Sequence, residues 1–478
     1  MTIQAPPSLT SFVGGATSSH EGAVVELIRP TDGRVGARLI EAGEEGVATA
    51  VADAARAFRE NRRSTLHQRS QWLRAMAAAL ANAAEDLALI VCQDVGKPIR
   101  PARFESKRGG EFLEACAASV LHLAGEMVPL DAAPLGAGHI GFTRRVPYGV
   151  VGAITPFNAP INLLVQKVGP AIAAGNAIVA KPAPAGTRSA LALARLFADA
   201  GLPRGLFNVV TGDKETAVAL VAHPEVRAVT FTGGTDAGDA LIRAAGNKKF
   251  VSELGSNAAN IVMADADIAE AATKIAAAAF EASGQQCISA QRVLVQRPVV
   301  ETFLKAFVAA AKKLKVGAVE DTATDIGPVV HVGAAERIMS VYQDAITRGA
   351  SAALEPTRNG CFVSPGILVD VDFDSRLWRD EVFGPLALVQ PFDNIDEALT
   401  LANDSPFGLQ GAVFTKDLAT AMRFSEDFEV GSLWVNEASR FRLDMYPFGG
   451  MKSSGTGREG VRYAIEELSQ IKFTGLKF

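Results

Sequence analysis

The sequence predicts an α/β protein with two open α/β units and a small β extension. Between residues 149 and 255, short apolar runs end at Gly, Pro or Asn, and an Ala/Leu-rich stretch follows each of them. This alternation indicates βα units around a parallel sheet, because strands buried on both faces are continuously hydrophobic. The runs are GVVGAIT, NAIVAKP, LFNVVTG, AVTFTGG and KKFVSELG.

Helical and strand patterns also flank this region. Residues 47–59 and 66–94 place Ala, Leu, Ile and Val at helical spacing among Arg, Glu and Gln, which predicts two amphipathic helices. Residues 258–435 combine a helical stretch at 267–282 with the apolar runs RVLVQ, LALVQPF, GAVFT and GSLWVN. A second α/β unit is therefore predicted.

The C-terminal residues 471–478, IKFTGLKF, alternate weakly after the helix-like VRYAIEELSQ. The sequence shows no obvious partner for this terminal strand. Pairing with a sheet edge of another subunit is one way to satisfy its backbone groups.

Composition excludes several functional classes. The 478 residues include 47 basic and 52 acidic side chains, a net charge of −5, which disfavours a nucleic-acid binder. The longest weakly polar runs fall short of the roughly 18 apolar residues that a membrane span needs. The first residues lack the basic segment and the apolar segment of a secretory signal, so we expect a cytoplasmic protein.

The four cysteines, Cys92, Cys116, Cys287 and Cys361, form no CxxC pair and no metal-ligand spacing. We therefore expect neither a disulfide framework nor a bound metal.

Chemically useful side chains follow several predicted strands. Asn158, Lys181 and Glu253 come directly after apolar runs, and so does the Gly-rich turn 232–238. Ligands bind beyond the carboxyl ends of open parallel sheets, where helix N-termini offer free N–H groups. The turn suits a phosphate but lacks GxGxxG, so a tight structural turn is the alternative. The alternative for Lys181 is a solvated lysine, and the alternative for Asn158 is a residue with only a structural role in a turn.

Cys287 lies in SGQQCIS, whose small and polar residues favour an accessible thiol over a packed one. A buried, inert cysteine is the alternative. The six histidines include no obvious partner, so a Cys-His protease is disfavoured. Glu253 and Glu381 are candidates for a general base, or else solvated or capping carboxylates.

Together these segments resemble the aldehyde dehydrogenase superfamily over nearly the whole chain. Eight motifs in the family's order make the resemblance specific. They are ITPFNAP (154–160), IVAKPAP (178–184), LPRGLFNVVTG (202–212), FTGGTDAG (231–238), ELGSNAANIV (253–262), GQQCISAQR (284–292), DEVFGP (380–385) and PFGGMKSSGTGREG (447–460).

The resemblance implies a cysteine mechanism. Cys287 would attack the aldehyde carbonyl and form a thiohemiacetal, and the amide of Asn158 with the Cys287 backbone N–H would bind the oxyanion. Loss of hydride to the cofactor would leave a thioester. Glu253 would activate the water that hydrolyses it to the free acid, whereas relatives that acylate coenzyme A usually lack this base.

The resemblance also implies NAD or NADP as cofactor. The pyrophosphate would lie at the helix after Gly233, the adenosine ribose on Lys181, the nicotinamide ribose on Glu381 and the nicotinamide beside Phe383. Pro184 stands where Glu is common, which removes an obstacle to NADP⁺. The further implied cofactor positions are Thr155, Pro156, Thr232, Gly234 and Leu254.

For the substrate, the closing segment resembles the branch that handles small polar aldehydes, such as lactaldehyde, succinic semialdehyde and phospho- or phosphonoaldehydes. Arg108 would supply a cation for an anionic substrate. The alternative for Arg108, Arg440 and Arg442 is that they are solvated surface residues. Phe157 and Phe441 would suit an aromatic aldehyde instead. The candidate substrate residues are Arg108, Phe157, Gln286, Arg440 and Phe441.

The resemblance divides the chain into three parts. A Rossmann-like nucleotide-binding domain is expected at residues 1–126 and 146–252, and a catalytic domain at 253–445. An oligomerisation extension is expected at 127–145 and 460–478. A homodimer or homotetramer follows from the same resemblance.

Overall fold

The structure, a computed structural model, describes residues 6–478. Its α-helices are α1 (Gly43–Asn61), α2 (Leu66–Asn82), α3 (Ala84–Val95), α4 (Ile99–Ser119), α5 (Asn162–Ala174), α6 (Thr187–Asp199), α7 (Lys214–Ala222), α8 (Thr235–Ala245), α9 (Ile268–Phe280), α10 (Val300–Lys313), α11 (Val332–Thr347), α12 (Arg376–Arg379), α13 (Ile395–Asn403), α14 (Leu418–Asp427) and α15 (Val461–Glu467).

The β-strands are β1 (Ser8–Leu9), β2 (Phe12–Val13), β3 (Ala16–Thr17), β4 (Val24–Ile28), β5 (Val35–Ile40), β6 (Met127–Val128), β7 (His139–Pro147), β8 (Val150–Thr155), β9 (Ala177–Pro182), β10 (Phe207–Val209), β11 (Val226–Thr232), β12 (Lys249–Glu253), β13 (Ala259–Val262), β14 (Arg292–Gln296), β15 (Ser351–Leu354), β16 (Arg358–Asn359), β17 (Phe362–Val363), β18 (Gly366–Val369), β19 (Leu386–Phe392), β20 (Phe407–Gly408), β21 (Gln410–Phe414), β22 (Ser432–Val435), β23 (Met451–Lys452), β24 (Gly455–Thr456) and β25 (Ser469–Lys477).

The larger sheet has eight strands in the order β24-β12-β11-β8-β9-β10-β2-β3. Its five central strands, β12 to β10 in that order, are mutually parallel. All six residues of β8 and all six of β9 are buried, as the continuous apolar runs predict. Helices cover both faces, and the largest hydrophobic core surrounds this sheet. The predicted βα organisation is confirmed.

The second sheet has seven strands in the order β15-β18-β19-β14-β13-β21-β22. All neighbouring pairs are parallel except the edge pair β15–β18. The predicted second α/β unit is therefore present. The domain boundaries given above stay a prediction.

The C-terminal strand β25 pairs antiparallel with β7 of the same chain, from Ser469 opposite Pro147 to Lys477 opposite His139. With β6 these strands form a three-stranded sheet. The fold thus supplies, within the same chain, the partner that was not obvious in the sequence. Short alternating strands carry no signal for a partner more than 300 residues away in sequence, because pairing is set by tertiary packing.

The helix predicted at residues 66–94 is two helices. The backbone of Ala83 leaves the helical region (φ −96°, ψ 6°), and α2 and α3 meet at 68°. Glu85 and Asp86 then occupy the first turn of α3, where negative charge stabilises a new helix start. No single described helix is long and apolar enough to cross a membrane, although this bent pair passes the same test as a unit.

Asn176 joins the larger sheet to the C-terminal helix. Its Oδ1 accepts the N–H of Gly149 at 3.0 Å, and its Nδ2 donates to Leu468 O at 2.8 Å. Substitution Asn176→Ala leaves both backbone groups buried without a partner. We expect the free energy of unfolding in urea to fall by about 2 to 4 kcal/mol. The exposed Asn247→Ala serves as control and should change it by less than about 0.5 kcal/mol; equal losses would contradict this role.

Candidate active site

Parallel pairing brings the predicted side chains to one edge of the larger sheet. Thr155 ends β8, Lys181 lies opposite Ile154 near the end of β9, and Thr232 is paired with Glu253 where β11 and β12 end. These carboxyl ends therefore share one edge, as the sequence predicts.

Asn158 follows β8 and extends towards the second unit. Its Nδ2 donates to the backbone oxygen of Gln285 at 2.9 Å, and its Oδ1 is buried without a partner among residues 6–478. The amide thus contacts the segment that carries Cys287, two residues further on.

An unusual backbone places Cys287. After α9 ends, Ala282 and Ser283 adopt left-handed conformations (φ 52° and 59°), which are costly for residues with a side chain. Packing fixes this turn: the Ser283 hydroxyl donates to Gly327 O at 2.7 Å, and Gln285 Oε1 accepts Val330 N–H at 3.0 Å. Strain held in this way is typical of functional sites.

Cys287 reaches a cavity of about 680 Å³ that Asn158, Gln286 and Phe441 also line. Cys287 as a residue is partly exposed, whereas the other three cysteines of the chain are buried. Its own N–H makes no hydrogen bond within the described chain. Cys287, with its free N–H, and Asn158, with its amide, thus line the same cavity, and these are the types of group that attack on a carbonyl uses.

The cavity also raises the pKa of the Cys287 thiol. Loss of hydration raises this pKa to about 12, the positive charge of Arg442 lowers it, and Glu381, Glu253 and Glu459 raise it further. Burial therefore favours the neutral thiol, and the charge of Arg442 favours the thiolate.

Glu253 lies beside a buried charge cluster. The Glu459 carboxylate accepts Lys167 Nζ at 3.2 Å and Arg442 Nη2 at 2.8 Å, and the Arg442 guanidinium lies 3.6 Å from the Phe448 ring centre. Both Glu253 oxygens are buried without a partner in the described chain. Burial and then the Glu459 charge raise the pKa of Glu253 well above its usual value, against the positive charges of Arg442, Lys167 and Arg458.

The Gly-rich turn leads into α8 with space for a ligand. A Cβ at Gly234 would meet no atom within 4 Å, and no side chain caps the helix after it. A Cβ at Gly233 would lie 2.6 Å from the tip of the Phe231 ring, which would have to shift. Free N–H groups at the positive end of α8 fit a pyrophosphate.

Other predicted cofactor residues make contacts of their own. Glu381 Oε1 accepts the Ser256 N–H at 3.0 Å, and burial raises its pKa to about 7. Phe383 packs edge-on against Phe157, with ring centres 5.9 Å apart. Burial lowers the pKa of the Lys181 ammonium, opposed chiefly by the charge of Asp213.

The remaining predicted positions have mostly structural contacts. Thr155 O accepts the Ala183 N–H at 2.8 Å just before Pro184, and Leu254 is buried. The Thr232 hydroxyl donates to a Glu459 oxygen at 3.5 Å, and its contact with a phosphate stays a prediction. Among residues 6–478, no cluster of three His, Cys, Asp or Glu side chains is placed to hold a metal ion.

Comparison with known proteins decides the family. The sequence profile of the aldehyde dehydrogenase family matches residues 16–474. The chain is 40% identical over 447 residues to the 3-sulfolactaldehyde dehydrogenase of Priestia megaterium, covering 93% of each chain. The chain belongs to the aldehyde dehydrogenase family.

Solved structures of this family superpose on the whole chain. One is aldehyde dehydrogenase 21 from Physcomitrella patens in complex with the reaction product succinate, with a TM-score of 0.95, 31% identity and 99% of both chains covered. Another is the NADP-dependent glyceraldehyde-3-phosphate dehydrogenase of Bacillus halodurans complexed with NADP, with a TM-score of 0.95, 32% identity and 98% and 99% covered. The two-unit α/β fold is thus that of an aldehyde dehydrogenase.

The arginines suggested for substrate are engaged within the chain. Arg108 makes two hydrogen bonds to Asp444 (2.5 and 3.0 Å). Arg440 pairs with Glu281 and donates to Gln286 Oε1 at 2.9 Å. Surface solvation is wrong for Arg442, whose side chain is 92% buried against Glu459. Sequence spacing cannot show such pairs because their members lie far apart in the chain.

Sequence reasoning missed Lys167 and gave Glu459 no role. The signal for Lys167 was available: it is the one charged residue in the apolar helix α5, every residue of which is buried. A buried lysine requires a carboxylate partner. The GREG motif supplies it in Glu459, but only the fold shows that the two meet.

Removal of Arg442 should lower the reactivity of the Cys287 thiol. The substitution Arg442→Leu deletes the cation that lowers the Cys287 pKa and leaves Glu459 less compensated. We expect alkylation of Cys287 by iodoacetamide at fixed pH to slow by about three- to tenfold, tenfold being one pKa unit. Arg440→Leu, in the same cavity, is the control. Mass spectrometry of the Cys287 peptide follows the reaction; an unchanged or faster rate in Arg442→Leu would contradict this electrostatic effect.

Proposed function

We propose that this aldehyde dehydrogenase oxidises a small anionic aldehyde to the free acid with NAD⁺ or NADP⁺ through a thioester on Cys287. The proposal rests above all on the partly exposed Cys287 beside Asn158 in one cavity. Sulfur attacks the carbonyl carbon, and the oxygen becomes an oxyanion. The Asn158 amide and the free Cys287 N–H are suitable donors, and each such donor is typically worth about 3 kcal/mol.

Glu253 is the proposed base for the second half of the reaction. It accepts a proton from water as the oxygen attacks the thioester carbon, and the Cys287 sulfur leaves with the acid released. Because burial and Glu459 raise the pKa of Glu253, it gains strength as a base once deprotonated. The activity should accordingly rise with pH as this carboxyl ionises.

The residues predicted to bind the cofactor suit a nicotinamide dinucleotide. The open turn at Gly234 and the N-terminus of α8 suit a pyrophosphate, while Lys181 and Glu381 offer an ammonium and a carboxylate for ribose hydroxyls. When bound, the cofactor supplies the acceptor for the aldehyde hydride. Pro184 places no carboxylate near the adenosine ribose, so both NAD⁺ and NADP⁺ are proposed.

The substrate cavity supports a small anionic aldehyde through one of its cations. Its six cations each pair with a different carboxylate, so they balance in charge (Lys97–Glu105, Arg100–Asp325, Arg108–Asp444, Lys274–Glu437, Arg440–Glu281 and Arg442–Glu459). Arg442 uses only Nη2 in its hydrogen bonds, to Gln166 and Glu459. Its other donors have no partner in the described chain. Arg442 is therefore a better candidate than Arg108 for a carboxylate or sulfonate.

Two relatives favour the same class, since one is named for sulfolactaldehyde and another holds succinate. An aromatic aldehyde is the second candidate because exposed apolar side chains, Phe104, Phe441 and Leu443, also line the cavity.

A homodimer or homotetramer is proposed from the extension. Strand β25 leaves Ile471 and Phe473 at least half exposed, and Phe478 is 81% exposed at the chain end. An apolar strand at a sheet edge is suited to contact with another copy. A cytoplasmic location remains a prediction.

A substrate panel tests the proposed function. Purified protein is assayed at 340 nm with succinic semialdehyde, propionaldehyde and benzaldehyde, each with NAD⁺ or NADP⁺. We expect the anionic aldehyde to give the highest kcat/KM and Cys287→Ala to be inactive with all three. Fastest turnover of benzaldehyde would favour the aromatic class, and formation of an acyl-CoA on addition of coenzyme A would contradict the hydrolytic reaction.

Glu253→Gln separates the two half-reactions. Without the base, the thioester should form but not hydrolyse, so we expect a burst of reduced cofactor near one equivalent per site and then a steady-state rate lowered by about 100-fold or more. Stopped-flow absorbance measures both phases. Glu467→Gln, a partly buried glutamate of α15, is the control and should turn over normally. Unchanged steady-state turnover in Glu253→Gln would remove Glu253 from the mechanism.

A further inference from the structure

The buried carboxylate of Glu105 lies against the beginning of helix α5, and the reaction described above does not use it. Glu105 belongs to α4 and is only 4% exposed. Its Oε1 accepts the backbone N–H groups of Ile161 at 2.8 Å and Asn162 at 3.2 Å, and its other oxygen accepts Lys97 Nζ. The side chain of Lys97 is 10% exposed, so the ion pair is withdrawn from water.

This carboxylate substitutes for a helix cap. Ile161 occupies the N-cap position of α5, and its side chain has no oxygen to accept an N–H of the first turn. Buried N–H groups at a helix start need an acceptor, and a negative charge there is stabilised by the helix dipole. Glu105 meets both needs from a neighbouring helix, and Lys97 balances its charge.

The capped residues directly follow the turn that carries Asn158. Pro156 and Pro160 in this turn have no N–H to donate, and residues 156–161 belong to no helix or strand. Within the turn, Ala159 O accepts the Leu163 N–H at 3.0 Å. The bonds from Glu105 therefore fix the C-terminal end of the turn, while β8 fixes its beginning.

We propose that Glu105, held by Lys97, is a positioning residue that sets the Asn158 amide at the oxyanion. The inference rests on the proposed function, in which Asn158 binds that oxygen. Asn158 already contacts Gln285 O at 2.9 Å, so a small shift of the turn moves the amide relative to Cys287. A misplacement of about 1 Å can cost a factor of about 100 in rate.

The test compares two reactions of Cys287 that need no cofactor. Acylation by p-nitrophenyl acetate passes through an oxyanion as the S–C bond forms and p-nitrophenolate leaves. Alkylation by iodoacetamide displaces iodide and forms no oxyanion. For Glu105→Gln we expect acylation about tenfold slower and alkylation within about twofold of the parent chain. Glu111→Gln, on the exposed face of the same helix, is the matched control and should change neither rate.

A double-mutant cycle distinguishes positioning from general damage. Asn158→Ala should slow acylation by about 100-fold, and adding Glu105→Gln should slow it no further than about twofold, because the effect of Glu105 requires the amide. The inference would be overturned if the two losses in acylation rate multiplied in the double variant. It would also be overturned if Glu105→Gln slowed acylation and alkylation equally. If Glu105→Gln does not fold, Glu105→Asp, which retracts the charge by one methylene, carries the same expectation.

The cycle also separates the inference from the function on which it rests. Normal acylation in Asn158→Ala would refute the oxyanion role of Asn158. Slow acylation in Asn158→Ala with a normal rate in Glu105→Gln would refute only the positioning role of Glu105.

Discussion

Parallel pairing in two sheets is the constraint on which the rest of the structure depends. Parallel strands end together, so residues separate in sequence collect at one edge. Glu253 ends β12 beside Thr232 of β11, and Asn158 follows the neighbouring β8. The second sheet places Cys287 between α9 and β14. The bond from Asn158 to Gln285 O joins the two units where the proposed chemistry takes place.

Burial explains why the charges beside Glu253 are paired. Lys167, Arg442 and Glu459 are almost entirely buried and stabilise each other, since an uncompensated buried charge is costly. Glu253 has no such partner, so its pKa rises, and the pKa of Cys287 rises through the same loss of water. Burial thus disfavours the ionised form of both groups. The proposed reaction requires each to lose its proton, and their environment makes the resulting anions strong bases or nucleophiles.

Local patterns predicted the parts of the structure that depend on local chemistry. Continuous apolar runs predicted the central strands, and the polar residues after them predicted that Lys181 and Glu253 lie at the same edge of the sheet. The break at Ala83 was not predicted, because the residue is a good helix former and the bend depends on how the two helices pack. The partner of β25 was missed for a similar reason.

The charged residues show the same limit at the site. Arg108, Arg440 and Arg442 look alike in sequence, yet each has a different carboxylate partner in the fold. Only the third is buried beside Cys287. The role of Glu105 also depends on the fold, since its partners Ile161 and Asn162 are 56 and 57 positions further along the chain.

The central claim is that the substrate carbon becomes bonded to the sulfur of Cys287. Acid quenching of a single turnover, followed by digestion and mass spectrometry, tests it most directly, with deuterium on the aldehyde carbon of succinic semialdehyde. The account predicts a succinyl group on the Cys287 peptide with the deuterium lost to the cofactor. Turnover with no acyl group on that peptide, or with the group on Cys92, Cys116 or Cys361, would contradict it.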